Sequence, residues 1–247
     1  MSNAEIPLLG GRVTAGVVRL GATVRRPISN DRTLQHSLLA HFESIGFDGS
    51  PRLLGVDERG REVLSFLPGE VPRDLGHFSD AQLAGAAALL RRFHDATASF
   101  EPVRRAGAEV MCHNDWAPPN AVFREGLPYG MIDFDTIAPG LRLWDLGYSA
   151  FAWLDLGDPD YTGDEQHRRL SLFADAYDLP SCSASRIAAY AVARQAALAT
   201  SAEARGKVEM ASWARSAAVW TVANMAGLLP AESRELGDKI ILRNLSS

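Results

Sequence analysis

The chain has 247 residues, 47% hydrophobic and 22% charged, which is enough to bury a sizeable core in one compact unit or two closely packed lobes and excludes a disordered or fibrous protein. A net charge of −5 leaves no basic footprint, so nucleic acid is excluded as the expected partner. The two cysteines, Cys112 and Cys182, fit a reducing compartment without a disulfide framework. The first residues lack a basic stretch followed by a long apolar one, and the uncharged run over 216–230 is too short for a bilayer, so a cytoplasmic protein without a membrane partner is expected.

In chain order, LLGG, GVVRLG and ATVRRP read as glycine-punctuated strands of a half-exposed antiparallel sheet that ends at Pro27. From Asp31 onward, Leu34, Leu38, Leu39, Phe42 and Ile45 recur at helical spacing, with Gly46 where a C-terminal cap belongs. PRLLGVDE and REVLSFLPG predict two further strands about the turn at 58–60, and Pro68-Gly69 marks a break. Beyond it the pattern is helical: 79–98, opened by the cap SDAQ, then 164–177, 183–204 and 207–229. One strand-rich insert, 109–135, interrupts the helices. The expected organisation is a β-rich unit over 1–69 and a helical unit over 70–247.

The insert, EVMCHNDWAPPNAVFREGLPYGMIDFD, reads as a strand ending at Cys112, a polar loop 113–120, a strand AVF, the turn EGLPYG and a returning strand MIDFD. Such a hairpin can bring Asp115, Asn120 and Asp133 to one edge as hard oxygen ligands or bases, the kind of set Mg²⁺ takes alongside water and phosphate. Cys112 and His113 are strand neighbours and face opposite ways, which argues against a thiol nucleophile with its base. His94-Asp95 reads as packing and capping near a helix end. His36, His41, His77 and His167 show no ligand spacing.

HNDWAPPN resembles the catalytic loop H-G-D-x-x-x-x-N of the aminoglycoside phosphotransferase-like family, a relative of the protein-kinase H-R-D loop. IDFD resembles the segment that replaces the kinase D-F-G in that family, PGLRLWDLGY its aspartate before an apolar helix, and RRFHDA the end of its preceding helix. The resemblance implies an α+β, two-lobed kinase-like fold with a small antiparallel β lobe and a larger helical lobe. It implies transfer of the γ-phosphate of ATP or GTP, with Mg²⁺, to a hydroxyl of a small molecule. On that reading Asp115 is catalytic, and His113, grouped with it, holds the loop. Asn120 and Asp133 are metal ligands, Asp135 is a further metal or substrate contact, Asp145 anchors the loop from behind, and backbone near Phe66 and Leu67 meets the base.

Kinase-like enzymes place a lysine on the third strand, paired with a glutamate on the next helix. Here the only lysines are Lys207 and Lys239, which leaves VRRP to supply the cation. Strand alternation is read as turning Arg25, more than Arg26, into the cleft, with Gln35 as its partner. The expected glutamate position falls at Gln35 or His36, and the helix's glutamate, Glu43, comes near its far end. GGRVTAG, with Gly11, is the candidate phosphate cover.

The stretch WLDLGDPDYTGDEQH holds Asp155, Asp158, Asp160, Asp164 and Glu165 before any basic residue. The resemblance implies an acidic pocket for a cationic substrate there, with Asp155, Asp158 and Asp160 as its residues. A solvated loop capping the next helix at Asp164 reads as well. Two rival functions stand beside phosphotransfer: a pseudokinase-like nucleotide- or metabolite-binding module without turnover, suggested by the missing lysine, and a metal phosphohydrolase built on His113, Asp115 and Asp133.

Overall fold

The computed structural model describes residues 4–8, 16–28, 31–180, 183–225 and 227. Its small lobe contains strands β1 (Ile6–Pro7), β2 (Val18–Leu20) and β3 (Thr23–Pro27), helix α1 (Thr33–Ile45), and strands β4 (Leu53–Val56) and β5 (Arg61–Ser65). The strands form one antiparallel sheet in the order β1-β2-β3-β5-β4. Helix α1 buries Leu38, Leu39 and Phe42 at three- and four-residue spacing and closes at Gly46, whose N–H bonds the carbonyls of Phe42 and Glu43.

The larger lobe is built from α2 (Asp80–Thr97), α3 (Glu101–Ala106), β6 (Val110–Cys112), β7 (Ala121–Arg124), β8 (Leu127–Met131), β9 (Ala138–Gly140), α4 (Arg142–Leu154), α5 (Gly163–Ala176), α6 (Ala184–Ala204) and α7 (Val208–Asn224). Helix α2 opens with a full capping box between Ser79 and Gln82, an arrangement that stabilises a helix start by about 1 kcal/mol. Helix α5 is capped by the Thr162 hydroxyl, which accepts the Glu165 N–H at 3.2 Å, rather than by Asp164. No helix among the described residues is long and apolar enough to cross a membrane.

The insert departs from its sequence reading in three places. Strand β6 pairs with β9, which periodicity did not reveal, and not with the hairpin. The hairpin β7–β8 turns at Glu125-Gly126, both at positive φ (53° and 78°), so that LPYG lies in the strand rather than in the turn. Finally, β8 ends at Met131. Asp133 takes a left-handed backbone (φ 64°, ψ 67°), which breaks the ladder and throws its side chain out of the sheet.

Two glycines set how the layers approach. Gly69, between β5 and α2, has φ 157°, and a Cβ there would lie 2.2 Å from the Phe123 carbonyl oxygen. Gly147 on α4 lets α6 pack so closely that a Cβ would lie 2.5 Å from the backbone carbon of Tyr190. The core joins the lobes: Phe93 of α2 meets Phe42 of α1 edge-on at 5.8 Å and stacks on Phe134 at 6.1 Å, so the segment after Asp133 is packed against both.

Candidate active site

The polar loop after β6 hangs on one buried carboxylate. Asp145, in the first turn of α4, accepts the N–H of His113 on Oδ2 and that of Asn114 on Oδ1, each at 2.7 Å. Oδ2 also lies 3.0 Å from His94 Nε2, whose Nδ1 is 2.6 Å from the Tyr177 hydroxyl, itself 3.1 Å from Arg142 Nη1. A carboxylate only accepts, so Nε2 carries the imidazole proton and Nδ1 accepts from Tyr177. The hydrogen bonds therefore all point one way, from Arg142 through Tyr177 and His94 to Asp145. Burial pushes the Asp145 carboxyl upward, but His94 and the loop around His113 hold it below its ordinary value, whereas burial drives His94 down, against the pull of Asp145. The pair is neutral imidazole beside ionised carboxylate.

His113 is fully buried among Phe93, Trp116 and Phe134, with Nε2 3.1 Å from the Ile132 carbonyl. Its grouping with Asp115 as a catalytic residue is thereby corrected: a ring enclosed by aromatics cannot reach substrate. Asn114 takes positive φ (64°), and the chain emerges at Asp115. Tyr148 of α4 donates to Asp115 Oδ1 at 2.5 Å, while Asn120 Nδ2 donates to Oδ2 at 2.9 Å and to the Asp115 carbonyl at 2.7 Å. Burial, and then Asp115 itself, raise the Tyr148 phenol well above its usual value, so it remains a donor. Arg194 of α6 backs the loop, donating to the Asn114 carbonyl at 2.9 Å and lying over the rings of Trp144 and Tyr148.

A cavity of about 400 Å³ lies between the lobes, and Asn120, Asp133, Arg26, Arg32, Phe66 and Leu67 are among its walls. Burial, Asp135 and Asp115 raise the Asp133 carboxyl, with Arg26 opposing. Asp135 is the reverse case: burial would raise it, but hydrogen bonds from Arg26 and Arg32 hold it down. Arg26 Nη2 binds Asp135 Oδ2 and lies 3.3 Å from Asp133 Oδ1, while Arg32 Nη1 binds Asp135 Oδ1. Each oxygen of Asp135, expected as a further metal or substrate contact, is thus engaged by a guanidinium group.

The expectation for Arg25 is overturned. The β3–β5 register pairs Val24 with Leu64 and Arg26 with Glu62, and Val24, Leu64 and Arg26 all line the cavity. Alternation therefore turns Arg25 to the other face, where its Nε lies 3.6 Å from Asp57. The parity is set by Val24 and Leu64, the apolar walls of the cleft. Gln35 lines the cavity too, but the buried acid near the arginines is Glu62 of β5, not a helix residue.

At the expected base-binding edge, the Phe66 N–H bonds the Ala22 carbonyl at 2.9 Å and the ring carries Arg19 above it at 3.8 Å. Gly11 and the loop residues up to Ala15 lie outside the described residues. Asp155 and Asp158 line a second cavity of about 360 Å³ with Trp213, Ser216 and Ala217. Asp158 is 3.1 Å and Asp160 3.8 Å from His77 Nε2, so the acidic stretch has a histidine that spacing alone did not reveal.

Residues 98–180 match the phosphotransferase enzyme family. The chain is 38% identical over 167 residues to the trifolitoxin immunity protein of Rhizobium leguminosarum bv. trifolii, an alignment spanning 62% of this chain and 62% of that relative's length. Its fold resembles that of aminoglycoside 2′-phosphotransferase-IIIa in its GDP complex, with TM-score 0.59 and 12% identity over 91% of this chain and 94% of that one. It also resembles a choline/ethanolamine kinase family protein from Mesorhizobium loti, with TM-score 0.58 and 16% identity over 93% and 90% of the two chains. The chain thus has the protein-kinase-like fold of the aminoglycoside phosphotransferases, and the segment bearing Asp115, Asp133 and Asp145 lies within the residues that match the phosphotransferase enzyme family.

Proposed function

We propose that the protein transfers the γ-phosphate of ATP or GTP to a hydroxyl of a small molecule. The observation that carries this reading is Asp115: its carboxylate is oriented by Tyr148 and by Asn120, and Asn120 also lines the interlobe cavity together with Asp133. Phosphoryl transfer needs a positioned nucleophile more than a strong base. Asp115 accepts the hydrogen bond of the acceptor hydroxyl, orients its oxygen toward the nucleotide, and takes its proton as the phosphorus–oxygen bond forms.

The residues fit Mg²⁺. Asn120 Nδ2 is engaged by Asp115, leaving the amide oxygen as the ligand atom, and Asp133 is a carboxylate whose ionised form is destabilised by burial and then by Asp135 and Asp115, a cost that a divalent cation would offset. When bound, the ion neutralises charge on the phosphate oxygens. The nucleotide lies between residues 1–69 and 70–247, its base against Val24, Leu64 and the Phe66-Leu67 edge, where Leu67 rather than Phe66 has its N–H to give.

The acceptor side is proposed to run along α4. Asp155 follows Tyr148 by two helical turns, about 10 Å, and with Asp158 and Trp213 forms a cavity suited to a cationic, partly apolar group. Asp160, exposed and 3.8 Å from His77 Nε2, would add negative charge beside it. The name of the relative that is 38% identical supports a toxin as the acceptor. The test is a screen of amino alcohols, cationic antibiotics and toxins for ADP or GDP release above the acceptor-free background. No acceptor-dependent release, together with tight nucleotide binding, would favour the non-turnover binding module, a reading to which the ion pair between Arg26 and Asp133 lends weight.

A further inference from the structure

The cation that kinase-like enzymes place on the third strand has a counterpart here that no single residue supplies. Arg32, at the start of α1, donates from Nε to Glu62 Oε1 at 3.0 Å and from Nη2 to Glu62 Oε2 at 3.3 Å, a two-point grip on a fully buried carboxylate. His36, one turn further on, places Nε2 2.6 Å from the same Oε1. Glu62 stands opposite Arg26 in the β3–β5 register, so the buried acid, the strand arginine and the helix arginine share one face of the sheet. Asp135 bridges the two guanidinium groups, one oxygen to each. Both arginines line the interlobe cavity.

We infer that Arg32, anchored by Glu62, is the principal phosphate-binding cation of the nucleotide site, and that Arg26 and Arg32 act as a two-guanidinium clamp in place of a strand lysine and helix glutamate. The inference rests on the nucleotide reading above. The geometry inverts the usual roles: the cation is on the helix and its buried counter-charge on the strand. Of the five N–H bonds of a guanidinium, Arg32 engages three with Glu62 and Asp135, leaving two for a ligand in the cavity. Glu62 has no exposed surface, so it cannot be a ligand itself. It serves to keep Arg32 extended, which lowers the ordering cost when phosphate binds.

The test compares ATP with adenosine by calorimetry, on protein with Mg²⁺ and no acceptor. Arg32→Ala is expected to weaken ATP binding by about tenfold or more while adenosine changes less than about twofold, because only the phosphates lose a partner. Arg32→Lys keeps charge without the fork and should fall between. Glu62→Gln should reproduce part of the ATP loss, and Arg25→Ala, on the opposite face, none. An ATP-to-adenosine affinity ratio unchanged in Arg32→Ala overturns the inference. Should that variant fail to fold, an unchanged ratio in both Arg32→Lys and Glu62→Gln overturns it equally. A wild-type protein that binds neither ATP nor GTP removes the nucleotide reading itself, an outcome distinct from tight wild-type binding insensitive to Arg32.

Discussion

Tyr148 holds Asp115 from the side opposite Asn120: the phenol donates to Oδ1 at 2.5 Å and the amide to Oδ2 at 2.9 Å, so the carboxylate plane is fixed before any acceptor arrives. Removing the hydroxyl with Tyr148→Phe frees one oxygen without removing the charge. We expect kcat to fall by about tenfold with nucleotide affinity unchanged, against about 10² to 10⁴-fold for Asp115→Asn. Steady-state kinetics on whichever acceptor the screen yields will show whether the two variants differ in this order.

Asp133 is held in a conflict that, on the proposed function, a divalent cation would offset. Its carboxyl is raised by burial and by Asp135 and Asp115, so above the ordinary carboxylate value its ionisation opposes folding of the ligand-free protein. Asp133→Asn should leave the ligand-free melting temperature equal to or above wild type, while abolishing the gain in nucleotide affinity that Mg²⁺ gives over EDTA. Asn120→Ala should lose part of that gain. Calorimetry with and without chelator, beside thermal melts, reads both halves.

Folding stability should respond to pH through His94. Its folded-state value lies below 6.5, so the unfolded chain binds more protons as pH drops through that value and stability is lost in the acid direction. Denaturant midpoints should therefore decline from pH 7.5 to 5.5. In His94→Gln, which can still donate to Asp145, the decline over that window should shrink. In the wild-type protein a further loss should follow below about pH 4, where Asp145, held below its ordinary value by His94 and the loop around His113 against its burial, takes up a proton.

Gly147→Ala adds a methyl carbon where the backbone of Tyr190 already lies 2.5 Å away. Helices α4 and α6 must separate to admit it, which should destabilise the protein by about 1 to 3 kcal/mol. Because Tyr148 follows directly on α4, acceptor turnover should fall more than nucleotide affinity does. A variant with wild-type melting temperature would show that α6 can shift freely.

The proposed catalytic loop could be picked out because its residues lie close together in sequence: 113–120 and 133–135 form a compact string, and the capping box at Ser79 and the glycine after α1 mark their helices locally. What escaped depends on parity and on distance. One residue of strand phase separates Arg25 from Arg26, and only the pairing of Val24 with Leu64 decides it. Glu62 lies in a strand whose neighbours look exposed, and its partners Arg32 and His36 come from a helix about thirty residues earlier. Tyr148 is 33 positions from Asp115, in an apolar helix where a tyrosine reads as packing. A buried charge in a strand was the available signal for Glu62, visible only once the strand's inner face was known.

The carboxylate of Asp145 also makes a prediction about time rather than energy. Amide protons of surface loops ordinarily exchange with water within moments, yet the amides of His113 and Asn114 are tied to a fully buried acceptor that is itself braced by α2 and α5. Their deuterium uptake should be as slow as that of core helices and should quicken together when any one of His94, Tyr177 or Asp145 is altered. The segment presenting Asp115 would then open only when the helices behind it do, so its lifetime in place is set by the core of the larger lobe rather than by its own sequence.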